Sequence, residues 1–223
     1  MRAAIFDIDG TLLDSVDLHA AAWVAAFRHF GVETEPAAVR RQIGKGGDLL
    51  MPVFLPRERC AREGAEIEAY RSDLFKRDYL SQVRPFPAVR PLFERLRAAG
   101  LAVALASSGK KDEVAHYQEI LGIADLVAVA TSSDDADRSK PHPDIFAAVL
   151  ERLGTGDAIA VGDTPYDAEA AGKAGIATIG VLCGGFPEAD LSAAGCIAIY
   201  RDPQDLLDGF DASPFVRPPG GTR

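Results

Sequence analysis

The feature that most constrains this chain is a set of short segments that are apolar at almost every position and that alternate with helical stretches. They span residues 3–6, 101–106, 126–130, 158–161 and 176–181, with a weaker one at 196–200. A strand wetted on one face alternates apolar with polar residues, whereas one apolar throughout belongs in a parallel sheet covered on both faces. Between these segments the periodicity predicts helices over 89–99, 112–121, 143–153 and 166–174. Several end at a glycine, namely Gly100, Gly122, Gly154 and Gly175, the usual stop for a helix. The expected fold class is therefore α/β, with a Rossmann-like, doubly wound parallel sheet as its core.

One region breaks the alternation. Residues 18–80 carry helical signals only, over 18–30, 37–43, 47–54 and 57–80, the last interrupted by Gly64. A strand-led core does not need so long an excursion between its first two strands, so this stretch reads as an inserted helical domain. Pro85-Phe86-Pro87 marks the return, because proline cannot continue a helix. The expected division is a core of 1–14 and 84–210, a helical insert of 15–83, and a flexible tail of 211–223 containing Pro214, Pro218, Pro219, Gly220 and Gly221.

Composition removes several function classes. A net charge of −9 without a basic stripe argues against a nucleic-acid partner, since affinity for phosphate backbones comes from clustered Lys and Arg. No apolar run reaches the roughly 18–20 residues that cross a bilayer, so no membrane partner is expected. Asp7 comes too early for a secretory leader. Cys60, Cys183 and Cys196 lack metal-ligand spacing and suit a reducing, cytoplasmic setting.

In open sheets of this kind, ligands bind beyond the carboxyl ends of the strands. The residues found there are Asp7-Ile8-Asp9-Gly10-Thr11-Leu12-Leu13-Asp14 after the first strand and Ser107-Ser108-Gly109-Lys110 after the second. Gly162-Asp163-Thr164-Pro165-Tyr166-Asp167 follows the segment at 158–161, and Ser139-Lys140-Pro141-His142-Pro143 opens a helix. If these meet, Asp7, Asp9, Asp163 and Asp167 face Lys140 with a local charge of about −3, and two carboxylates ~4 Å apart repel by about 4 kcal/mol at an effective dielectric of ~20. A divalent cation resolves this, and an oxygen-only ligand set favours Mg2+ over zinc. Asp7-x-Asp9-Gly10 is not a calcium loop of the EF-hand type, because Thr11 and Leu12 stand where that loop needs Asp or Asn and then Gly. Gly44-Lys45-Gly46-Gly47 lacks the preceding strand and the spacing of a nucleotide-binding loop.

These four segments, in this order, resemble the four motifs of the haloacid dehalogenase superfamily, over roughly 1–14 and 84–210, with the helical insert where a subclass-one cap belongs. The resemblance implies that Asp7 is a nucleophile that becomes an aspartyl-phosphate and that Asp9 is the acid and then the base. It implies magnesium on the Asp7 and Asp163 side chains and the Asp9 carbonyl. Ser107 and Lys140, with Ser108, Gly10 and Thr11 around them, would bind the phosphoryl group, and Asp167 would lie in the outer shell of the metal or against Lys140. Asp9 separates the chain from dehalogenating and phosphonate-cleaving relatives, which lack that second carboxylate.

Two activities share all four motifs, hydrolysis and sugar phosphomutation. His19 and Trp23 stand four apart on one helix face, and with Ser107-Ser108-Gly109-Lys110 they resemble the beta-phosphoglucomutase branch. Those mutases place an arginine shortly after a Lys-Gly pair, whereas Lys45-Gly46 is followed by Gly47-Asp48-Leu49-Leu50. Hydrolysis of a small phosphorylated metabolite is therefore the expected function, with the mutase and an inactive binding protein as alternatives. His19, Lys45, Gly46 and Lys110 are the candidate substrate contacts around the insert. The sequence leaves the oligomeric state open between monomer and dimer.

Overall fold

A computed structural model describes residues 2–216. Strand β1 (Ala3–Phe6) leads into a two-residue strand β2 (Leu13–Asp14) and then helices α1 (Val16–His29), α2 (Pro36–Arg40), α3 (Gly47–Phe54) and α4 (Arg57–Leu74). A π-helical turn (Phe75–Tyr79) and a 3₁₀ turn (Leu80–Gln82) carry the chain to β3 (Arg84–Pro85). There follow α5 (Val89–Ala98), β4 (Ala102–Ala106), α6 (Lys111–Leu121), β5 (Val129–Thr131), α7 (Asp144–Leu153) and β6 (Ala158–Gly162). The chain continues through α8 (Pro165–Lys173), β7 (Ala177–Val181), α9 (Glu188–Ala193), β8 (Ala198–Tyr200) and α10 (Pro203–Asp208).

Six strands form one parallel sheet in the order β5-β4-β1-β6-β7-β8. The chain winds outward from β1 through β4 and β5, then returns to the other side of β1 and winds outward again. That reversal opens a crevice at the carboxyl ends of β1, β4 and β6.

The two faces of the sheet differ in side-chain size. One presents Phe6, Val103, Leu105, Ile159 and Val161 to α5, α6 and α10. The other is almost all alanine, Ala3, Ala102, Ala104, Ala106, Ala158 and Ala160, and takes α7 and α8 through Ile145, Phe146, Val149, Ala170 and Ala171. Small strand residues let those two helices lie close to the sheet. Each large residue buried on the first face stabilises by roughly 1.5–3 kcal/mol.

Helices α1–α4 have an apolar cluster of their own, with Trp23, Phe27, Val39, Leu50, Met51 and Ile67 at its centre. The expected interruption at Gly64 is corrected: α4 passes through it unbroken. A β-carbon there would sit at ordinary contact distance, 3.4 Å, from Met51 Cε. The two chain crossings between sheet and insert are tied by the antiparallel pair β2–β3, and Phe86 N donates to Leu12 O at 2.9 Å.

Other differences are local. β5 begins three residues later than the apolar run suggests, because Leu126 and Val127 pack half-buried ahead of it. The flexible-tail expectation is corrected as far as Val216, since Ser213 and Phe215 are buried and the Arg2 guanidinium donates to Phe215 O at 2.7 Å. Residues 217–223 lie outside the described residues. No described helix is long and apolar enough to cross a membrane.

Candidate active site

Lys140, in the loop between β5 and α7, is fully buried. Its Nζ donates to Asp7 Oδ1 at 2.6 Å and Ala106 O at 2.8 Å, and lies 2.8 Å from Asp167 Oδ1. Burial alone would drive the amine towards its neutral form, but Asp167 and Asp7 outweigh this and hold it as an ammonium. In this conformation its three donors are committed to those partners.

Asp7 follows β1 directly. Burial raises its carboxyl to about 7, Lys140 opposes that rise, and Asp167 and Asp9 add to it. Its second oxygen lies 3.3 Å from Thr11 Oγ1, which is also 3.2 Å from Asp163 Oδ1, so one hydroxyl spans two carboxylates. Asp163 follows β6 and is likewise held well above the carboxylate range, by burial first and then by Asp7 and Asp167. Asp167 Oδ2 accepts from Thr164 N at 3.1 Å and Thr164 Oγ1 at 2.7 Å, closing the capping box at the start of α8. That bond leaves Oδ1 facing Lys140.

Asp9 points the other way. Its Oδ1 accepts from Ser15 Oγ at 2.6 Å and lies 2.9 Å from His19 Nε2. Burial pushes this carboxyl up, but the charge and hydrogen bond of His19, with help from Ser15 and Arg71, bring it below its ordinary value. An ionised carboxylate cannot donate, so the proton between them belongs on Nε2, with the Tyr117 hydroxyl 3.3 Å from the same nitrogen. The imidazole stacks on Phe75 with ring centroids 4.0 Å apart.

Ser107 is buried and its Oγ accepts from Gly109 N at 3.0 Å. Ser108 Oγ donates instead to Gly44 O of the insert, at 3.3 Å. Gly10, at φ +83°, would place a β-carbon 2.4 Å from Asp163 Oδ2, and Gly184 would place one at 1.7 Å. Bare backbone on two sides thus cradles that oxygen, which is buried and has no hydrogen-bond partner.

Asp7, Asp163 and Asp167 each bring an oxygen within 4.8 Å of the others. An oxygen-only set with one orphaned carboxylate oxygen fits a hard divalent cation. Asp167 joins that triplet while its Oδ1 lies 2.8 Å from Lys140 Nζ, and the Asp9 carboxylate is turned to Ser15 and His19.

The insert closes over this cluster. Asp48 Oδ1 accepts from Ser139 Oγ at 2.6 Å, Arg40 donates to Gly184 O at 3.1 Å, and Tyr166 donates to Arg41 O at 2.7 Å. Between the two parts lies a cavity of about 50 Å³, whose walls include Asp7, Asp9, His19, Lys45, Arg71 and Glu113. Lys45 Nζ donates to Gln42 Oε1 at 2.6 Å and sits 4.6 Å above the Tyr166 ring; burial lowers its pKa, with Glu169 opposing. Gly46 borders a neighbouring cavity of about 220 Å³ with Ser107 and Lys140. Lys110 borders neither and instead occupies the N-cap of α6.

Sequence reasoning missed Arg71, Glu113 and Tyr117. The available signal was register: Arg71 lies four residues after buried Ile67 on α4, and Glu113 four before buried Tyr117 on α6. A charge in register with a helix's buried stripe is worth noticing. Arg71 also removes the ground on which the mutase was set aside, because an arginine does reach the cavity, from a helix rather than from the loop after Gly46.

A parallel α/β sheet with an aspartate at the end of its first strand, a buried lysine against it and a helical insert above defines one class of hydrolase. The chain belongs to the haloacid dehalogenase-like hydrolase family, whose pattern matches residues 4–181. The phosphoglycolate phosphatase of Yersinia pseudotuberculosis is 34% identical over 192 residues, 82% of each chain. A hydrolase from Pseudomonas syringae superposes with a TM-score of 0.83 at 28% identity, over 95% of this chain and 99% of that one. A candidate beta-phosphoglucomutase from Bacteroides vulgatus shares the fold, with a TM-score of 0.84 at 20% identity over 95% and 88% of the chains.

Proposed function

We propose that this protein is a magnesium-dependent phosphatase that hydrolyses a small phosphorylated metabolite through a phosphorylated Asp7. The observation that carries the reading is Asp7 fixed by Lys140 at 2.6 Å on one side of the cavity, with Asp9 2.9 Å from His19 on the same cavity. A nucleophile and a proton donor thus face one space, held by different partners.

Lys140 orients the Asp7 carboxylate, which attacks phosphorus as the bond to the leaving oxygen breaks. That oxygen takes its proton through Asp9, which shares it with His19. Asp9 then accepts a proton from the water that attacks phospho-Asp7, releasing inorganic phosphate and restoring the carboxylate. Ser107 hydrogen-bonds the transferring group. Asp7, Asp163 and the Asp9 carbonyl would hold magnesium, which would supply the charge that lets an anionic nucleophile meet a phosphate dianion. The helical insert acts as a cap that excludes water and opens about the β2–β3 crossing to release product.

Hydrolysis is favoured over mutation by the 34% identity to a phosphoglycolate phosphatase over 82% of both chains, against 20% to the candidate beta-phosphoglucomutase. The test is a panel of metabolite phosphate esters assayed with and without magnesium. Magnesium-dependent release of phosphate is expected, and its absence across the panel would leave only a binding protein. Production of glucose 6-phosphate from beta-glucose 1-phosphate and trace bisphosphate would establish the mutase instead.

A further inference from the structure

Arg40 takes no part in the chemistry above, yet it joins the insert to the turn that walls in Asp163. It ends α2, where its Nε donates to Asp17 Oδ1 at 2.5 Å and a terminal nitrogen donates to Gly184 O at 3.1 Å. Asp17 lies in the first turn of α1, so the insert supplies its own counter-ion and aims the guanidinium at the core. Both side chains are accessible to water, and an ion pair of that kind adds little to stability.

The turn that Arg40 meets is bare backbone. Gly185, at φ +89°, would place a β-carbon 2.6 Å from that guanidinium, and Gly184 would place one 1.7 Å from Asp163 Oδ2. The Gly184-Gly185 strip thus has Arg40 on one side and the orphaned carboxylate oxygen on the other. On the core it is braced by Gly185 N, which donates to Leu182 O at 2.9 Å, and by Cys183 Sγ, which donates to Gly10 O at 3.1 Å. Neighbouring residues of the insert land on the turn that follows Asp163 itself. Tyr166 donates to Arg41 O at 2.7 Å, and Gly44 would place a β-carbon 2.8 Å from Thr164 Cγ2.

Residues 40–44 therefore press on both turns around one carboxylate. A buried oxygen without a hydrogen-bond partner is completed only by a cation, and walls that keep water from it favour that cation over hydration. The Gly184 backbone is such a wall, and Arg40 holds it from the outer side. When the insert swings away, Gly184 O loses its donor, the turn relaxes and water reaches Asp163 Oδ2.

We infer that Arg40 is a positioning residue for the metal cradle: docked on Gly184, it holds the turn against Asp163 Oδ2, so that closure of the insert and binding of the cation strengthen each other. Such coupling is reciprocal. The inference rests on the magnesium-dependent reading above.

The experiment titrates magnesium by calorimetry into the metal-free protein, with no ester present, at pH 8, where protons compete least. In Arg40→Met the dissociation constant should rise about 10-fold or more over wild type, the loss expected when the support of a metal ligand is removed. Arg40→Lys should keep part of the affinity, and Asp17→Asn, which only frees the guanidinium, should weaken it by a few fold. Magnesium should also slow amide hydrogen exchange over residues 40–46 in the wild-type protein and lose that effect in Arg40→Met. A residue that merely ties the surface together would move the melting temperature and leave both readouts alone. A dissociation constant in Arg40→Met within about twofold of wild type would therefore overturn the assignment, as would wild-type exchange over 40–46 that ignores magnesium. If Arg40→Met fails to fold, Arg40→Lys and the wild-type exchange decide. A wild-type protein that binds no magnesium would instead overturn the magnesium-dependent reading, and this inference with it.

Discussion

The two walls of the cavity are built differently. On the sheet side, polar groups answer one another: Lys140 is shared by Asp7, Asp167 and Ala106 O, and Asp167 divides its two oxygens between Lys140 and a helix cap. On the insert side, Arg71 and Lys45 come from separate segments, and the Arg71 Nε is left unsatisfied. A closed network suits chemistry that is the same for every substrate, since it fixes the nucleophile before anything binds. An open one suits recognition, because its missing partner arrives with the ligand. His19 belongs to both walls, as a residue of α1 bonded to Asp9 of the sheet.

The largest effect expected of this contrast falls on Asp7. Asp7→Asn keeps the size and shape of the side chain but removes the nucleophile, so turnover should drop by about 10⁴-fold or more with circular dichroism and melting unchanged in character. Measurable magnesium-dependent hydrolysis by this variant would remove Asp7 from its role. Next comes Lys140→Met. It strands two buried carboxylates that now share an ammonium, and breaking such a pair costs about 3–5 kcal/mol, or a fall of roughly 6–20 °C in Tm for a chain of this size. A melting temperature equal to wild type would mean that the lysine does not hold the cluster together.

His19→Ala tests the residue that joins the walls. If His19 serves the proton on Asp9, kcat should fall by about 100-fold for an alkyl phosphate but only a few fold for p-nitrophenyl phosphate, whose leaving group needs no acid. Equal losses on both would assign His19 to the packing of Phe75 and the insert instead.

The same contrast explains what the sequence made legible. The strands announce themselves because β1, β4 and β6 are buried on both faces, and the residues after a strand are bound to gather at the crevice once the winding is known. Asp7, Ser107 and Asp163 could therefore be located from sequence. Arg71 is harder to place: its register with Ile67 marks the buried stripe of α4, but that the stripe ends at this cavity depends on the packing of α4 against α1, where the guanidinium lies 5.2 Å from the Trp23 ring. The orientation of Asp9 was hidden for a similar reason. Its side chain turns to His19 rather than to the other carboxylates because Ser15 and α1 lie beyond it. The helices α9 and α10, six residues each, are too short to carry a period.

The smallest expected effect concerns the acidity of the sheet-side cluster itself. Burial raises Asp7 to about 7 from an ordinary 3.8 and raises Asp163 in the same direction, so ionising either is harder in the folded chain than in the unfolded one. The sign follows: the stability tied to the protonated forms is present below about pH 4 and is lost as pH rises through about 7. Metal-free protein should accordingly melt lower at pH 8 than at pH 5. Asp163→Asn, which removes one of the competing charges, should be more stable than wild type at pH 8 by about 1–3 kcal/mol, a gain of roughly 2–12 °C. Magnesium should close that gap in the wild-type protein and leave the variant unmoved. Because the ion must displace protons to bind, its affinity should weaken by up to about tenfold per pH unit below 7, with proton release visible by calorimetry in buffers of different ionisation enthalpy. A melting curve flat with pH and indifferent to magnesium would show that the carboxylates are not repelling one another. The closed network would then owe its arrangement to Lys140 alone.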